Sequence, residues 1–104
     1  MVSYQRGGRT KTGEDLTFTN TKISVGSSST AILSENLDRK YMALVNDSDE
    51  PIYIGIGEAA VLNEGIRLNN GGGTYELVGP DLHSNAINGI STSGSKNITV
   101  AEGE

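Results

Sequence analysis

The chain has 104 residues, of which 35% are hydrophobic and 5% aromatic, with one Phe, no Trp, no Cys and a net charge of −5. That length suits one domain with a thin aliphatic core. The composition excludes a disulfide framework or thiolate metal site, an apolar run long enough for a membrane helix, and the surplus of Lys and Arg that non-specific nucleic-acid binding requires.

Residues 1–21 are mostly polar and follow neither the helical nor the strand period. They carry Arg6, Arg9 and Lys11 against two acids, whereas residues 22–104 carry five basic against eleven acidic residues. A mildly basic N-terminal arm or flexible leader, 1–21, therefore precedes an acidic domain, 22–104. No apolar stretch follows the basic residues, so the leader does not read as a secretory signal. Asn46-Asp47-Ser48 and Asn97-Ile98-Thr99 fit the glycosylation pattern only by chance on that reading. Within the leader, "LTFT" (16–19) is a short strand that an arm could lend to a neighbouring subunit.

From Lys22 onward short alternating runs follow one another: "KISV", "AIL", "YMALVN", "IYIGIG", "GIRL", "TYEL", "AINGIST" and "KNITVAE". In "IYIGIG" Ile52, Ile54 and Ile56 share one face, and Tyr53, Gly55 and Gly57 the other. The glycines predict that another backbone or a bulky side chain comes close there. "ENLDRK" (35–40) is a polar connection or a single helical turn, and "EAAVLNEG" a loop or short helix. Turn signals roughly every 8–12 residues predict a single antiparallel β-sandwich or β-barrel of seven or eight strands.

Four stretches could carry chemistry. "NNGGG" (69–73) invites a phosphate loop, but no Lys follows its glycines and "TYEL" alternates as a strand. A hairpin turn is the reading it supports, with glycine supplying positive φ. Asp47 and Asp49 are spaced like the first calcium-loop ligands. Ile52 then stands where that loop needs Gly, so a solvated turn is expected. His83, the single histidine, lies beside Asp81 and Ser84 without a Gly-x-Ser-x-Gly elbow, and reads as a loop residue. No cofactor or metal motif is present. Tyr53 and Tyr75 stand on strands where a sugar or a protein could stack, while Tyr41 opens a strand.

"DRKYMALVNDSDEPIYIGIG" (38–57), followed by "GIRLNNGGGTYEL" and the terminal "ITVAEG", resembles small β-rich virion proteins of tailed bacteriophages, including capsid decoration proteins. The likeness spans about residues 22–103, is one of texture and order, and carries no catalytic signature. It implies a non-enzymatic structural protein on the capsid exterior, made in the host cytoplasm. Such a protein binds the major capsid protein or other virion proteins and stabilises the assembled shell, commonly as a homotrimer at a symmetry axis. On that reading Arg6, Arg9, Lys11, Phe18, Tyr53 and Tyr75 are the contact residues, the basic ones pairing with an acidic shell. A neck or tail component, a host-attachment or carbohydrate-binding module, and a small β-barrel hydrolase are the alternatives. The last would need an acid or His83 buried beside a nucleophile.

Overall fold

The computed structural model describes residues 16–79 and 82–104. It is all-β, with eight strands: β1 (Phe18–Val25), β2 (Thr30–Leu33), β3 (Tyr41–Asn46), β4 (Ile52–Ile56), β5 (Ile66–Leu68), β6 (Thr74–Val78), β7 (Ile87–Ile90) and β8 (Lys96–Gly103). They form two four-stranded sheets, ordered β1-β8-β3-β6 and β2-β7-β4-β5, and every pairing is antiparallel. Residues 18–21, assigned to the leader on composition, are the first half of β1. Arg6, Arg9 and Lys11 lie outside the described residues.

Four pairs nest inside one another: β1 with β8, β2 with β7, β3 with β6, and β4 with β5. The β3–β8 and β4–β7 pairings then knit the nested pairs into two sheets. An eight-stranded double sheet wound in this way is a jelly roll. Of strands consecutive in the chain, only β4 and β5 pair; every other connection crosses between sheets.

Alternation explains the core. The first sheet turns Val25, Met42, Leu44, Ile98 and Val100 inward, and the second turns Ile32, Ile52, Ile54, Leu68 and Ile87 to meet them. These ten side chains are aliphatic or Met, and burying each fully is worth roughly 1.5–3 kcal/mol. Gly55 shows why "IYIGIG" carries glycine on its other face. A Cβ there would lie 2.9 Å from the backbone of Glu58, Ala59 and Ala60, because the β4–β5 loop folds back over the strand. That loop has no helix; Ala60 N–H donates to Ser29 Oγ at 2.9 Å, which holds it on the sheet.

Two buried polar side chains tie the sandwich at opposite ends. Asn46, at the end of β3, donates from Nδ2 to the carbonyls of Glu50 and Leu68, both at 2.8 Å, and Oδ1 accepts from Ser48 Oγ at 2.6 Å. Arg39, just before β3, has a side chain with no solvent exposure. Its Nε donates to Glu102 at 2.9 Å, and its terminal nitrogens donate to the carbonyls of Ser34, His83 and Asn85 at 2.9–3.2 Å. The segment 35–40 makes no helical turn; it forms an Asx turn in which Asp38 N–H donates to Asn36 Oδ1 at 3.0 Å.

Candidate functional site

The glycine-rich loop links β5 to β6 across the two sheets, so it is a crossover and the hairpin expectation is corrected. The strands it joins pair with different partners, which local alternation does not reveal. Its backbone N–H groups are already engaged. Gly71 donates to Ser48 O at 3.0 Å, Gly72 to Asn46 O at 2.8 Å and Gly73 to Asn69 O at 3.0 Å. A phosphate cradle needs such groups free. A Cβ at Gly73 would fall 2.4 Å from Asn69 N, whereas Gly71 and Gly72 have open space around them but take φ of +74° and +120°, so glycine serves close approach at one position and, as expected, positive φ at two.

The acidic turn is held by side chains. Asp49 accepts from Lys96 Nζ at 2.7 Å, Glu50 accepts from Ser93, and Asp47 accepts from Asn97 Nδ2 at 3.3 Å. The hydrogen bond from Lys96, with its charge, holds the Asp49 carboxyl below its ordinary range. Among the described residues no three His, Cys, Asp or Glu side chains gather to hold a metal. His83 is half-buried with Nε2 3.4 Å from the Tyr75 hydroxyl, and its buried Nδ1 has no hydrogen-bond partner among the described residues. In a Ser–His–Asp arrangement that nitrogen is the one the carboxylate holds, and Asp81, the acid beside His83 in the sequence, lies outside the described residues. A cleft of about 260 Å³ lies by the β4–β5 loop, lined by Ile54, Ile56, Val61 and Ile66, with Glu58 and Glu64 its titratable residues.

The two tyrosines proposed as a platform are on different sheets. Tyr53 is on the outer face of the second sheet, beside Arg67, whose guanidinium carbon stands 6.0 Å from the ring centre, the outer limit of a cation–π contact. Tyr75 pairs with Leu44 on the inner face of the first sheet and packs against the core, and that burial raises its phenol pKa. Its hydroxyl meets His83, so Tyr75 is not an exposed stacking surface.

Phe18 is the predicted contact residue that the structure sets in a surface. The register runs Phe18 to Gly103, Gly103 to Tyr41 and Tyr41 to Val78, one transverse row over all four strands of the first sheet. Paired residues share a face, and this is the outer one. Phe18 is 48% exposed and Val78 52%. Gly103 sits between the rings: a Cβ there would lie 2.8 Å from the Phe18 ring. The missing side chain lets Phe18 and Tyr41 meet edge to face, with centroids 5.8 Å apart and planes at 74°. The next row outward is Asn20, Ala101, Ala43 and Glu76, whose two central residues are small. The result is a low apolar strip, with Asn20 and Glu76 at the two ends of the neighbouring row and Leu16 against Gly103 on its other side.

Tyr41 is fixed within that strip by a 2.5 Å hydrogen bond from its hydroxyl to Glu76 Oε2. This bond raises its phenol pKa, with smaller contributions from burial and from the Glu76 charge. The folded state thus favours the protonated phenol. The associated stability is complete below the unfolded tyrosine's value and is lost as pH rises through the folded one. A spectrophotometric titration of phenolate should show Tyr41 ionising later than a free tyrosine, and Glu76→Gln should move it back; an unchanged Tyr41 titration in that variant would refute the coupling.

The fold class is therefore an eight-stranded jelly-roll β-sandwich with an apolar strip on one outer face. Comparison with known proteins finds no matching family model, no match among curated proteins and no match among solved structures. Val78 and Gly103 escaped sequence reasoning because each acquires its role only through cross-strand register.

Proposed function

We propose that this chain is a bacteriophage virion structural protein, a capsid decoration protein that binds the assembled shell and acts without catalysis as a homo-oligomer. The observation that carries an interaction role is the Phe18–Gly103–Tyr41–Val78 row, where two large apolar side chains stay about half exposed on a face whose other exposed side chains are polar. Exposed apolar strips rimmed by polar groups serve as protein contact sites. The virion setting rests on the resemblance over about residues 22–103, and the basic residues Arg6, Arg9 and Lys11 are proposed to pair with acidic groups of the major capsid protein. Neither nucleic acid nor membrane is a proposed partner.

The test is co-sedimentation of the purified protein with intact capsids of its phage. Val78→Asp places a charge at the strip without disturbing the core, and should weaken binding at least about tenfold, as loss of a central contact does. Undiminished binding by Val78→Asp and Phe18→Ala together would remove the strip from the interface; no binding by the wild type would remove the decoration role.

A further inference from the structure

The four sheet edges are not alike. β2 has four residues and an irregular register between Ala31 and Leu33. β5 has three residues and presents Arg67. β6 carries Glu76, and its five residues end at the Gly79 turn. Short length, bulges and charges are the devices that keep sheet edges from pairing. β1 has only the last of them, in a single residue. It runs eight residues in unbroken register with β8, contains neither Pro nor Gly, and bears one charge, Lys22. Its first five residues, 18–22, are exposed whichever face they belong to, so the second sheet does not cover them.

The hydrogen-bond phase of this edge follows from its start. Thr17 and Glu104 exchange both backbone bonds, Thr17 N–H to Glu104 O at 2.8 Å and Glu104 N–H to Thr17 O at 3.0 Å. In an antiparallel ladder such mutual pairs alternate with pairs that make none. Thr19, Thr21, Ile23 and Val25 therefore spend their backbone groups on β8. Phe18, Asn20, Lys22 and Ser24 direct theirs to the open edge, where no strand among the described residues meets them.

We infer that this edge pairs with β1 of a second copy, antiparallel about a two-fold axis, giving a continuous eight-stranded sheet. A two-fold contact uses one patch twice, so the strand must complement itself. The register with Thr21 opposite Thr21 of the other copy does so. It sets Phe18 against Ser24 and Asn20 against Lys22, each pair occurring twice, and engages all four outward-facing residues. A shift by two in one direction sets Lys22 against Lys22, a like-charge pair that destabilises. A shift by two in the other direction leaves Ser24 without a strand partner. Charge and hydrogen-bond phase thus select one alignment. The contact is two-fold in place of the trimer that the resemblance implies, and it does not rest on the virion reading.

The test is sedimentation equilibrium of the full chain over a range of concentrations, with three variants at one position. Wild type should approach twice its 10.9 kDa. Asn20→Pro removes an N–H that the fold does not use, at an edge position that tolerates proline. It should be monomeric, with the circular dichroism and melting temperature of the wild-type monomer. Asn20→Glu, facing Lys22 twice, should tighten association and Asn20→Lys should loosen it, each by several-fold and up to about thirtyfold, since two symmetric cross-strand pairs change together. A 10.9 kDa mass at every concentration, a trimer, or a dimer indifferent to the sign of the charge at position 20 would overturn the inference. Loss of shell binding with the two-fold mass intact would bear on the decoration reading alone.

Discussion

Arg39→Met should cost about 3–5 kcal/mol of folding stability, the range found when one partner of a buried ion pair is removed. The guanidinium is enclosed, and its donors serve Glu102 and the carbonyls of Ser34, His83 and Asn85. Methionine fills much of the stem's volume but supplies no donor, so three carbonyls and a carboxylate lose their partner together. Glu102 is only 19% exposed in its side chain, and water therefore replaces the lost bonds incompletely. Arg39→Lys should rescue little, because one ammonium cannot reproduce a planar fork aimed at four acceptors. Urea denaturation of the two variants decides this. A loss below about 1 kcal/mol for Arg39→Met, no more than a typical surface pair is worth, would show that the segment 82–86 holds its place without the arginine.

Asn46→Asp is expected to be nearly as damaging, with a pH signature. The side chain is fully buried, and its Nδ2 faces two carbonyl oxygens at 2.8 Å. A carboxylate is isosteric but has only acceptors when ionised, so two donor contacts become repulsions. Burial and those oxygens favour the protonated acid, and the folded pKa of the new group rises above its unfolded value. Stability then falls as pH climbs from the unfolded carboxylate's value through the folded one, opposite in sign to an ordinary salt-bridged Asp. The expected loss at neutral pH is about 3 kcal/mol or more, since the cost of an unsatisfied buried group is larger when it is charged. Melting curves across the acid range check it. A loss independent of pH would mean the damage is steric, with the Glu50 and Leu68 carbonyls finding other donors.

Both residues lie in "DRKYMALVN", the stretch that carries the likeness to phage structural proteins, yet neither stood out as an anchor. Arg39 read as part of a polar connection and Asn46 as the polar end of a strand before an acidic turn. Each acquires its role from partners far along the chain, Glu102 63 residues on and Leu68 22 residues on. A charged or amide side chain next to a turn has the same local appearance whether solvent or enclosed acceptors surround it.

Much of the architecture was decided locally. Alternation in "YMALVN", "IYIGIG" and "KNITVAE" marks strands because a pleated chain over an apolar core must put every second side chain inward. That rule, with the turn signals between runs, gave seven or eight strands and the crowded glycine face above Gly55; composition gave the aliphatic core, and the short connections the antiparallel sense. Which strands pair was decided only in three dimensions. The nested order depends on contacts between distant segments, and the crossover at Asn69–Gly73 looks like a hairpin to any reading confined to its neighbours. The surface followed the same division: Phe18 was legible as an apolar residue in a polar leader. Its alignment with Gly103, Tyr41 and Val78, and the burial of Tyr75 on the other side of the same sheet, come from register. A shift of one residue would exchange the two faces, and register is set by how the whole core packs.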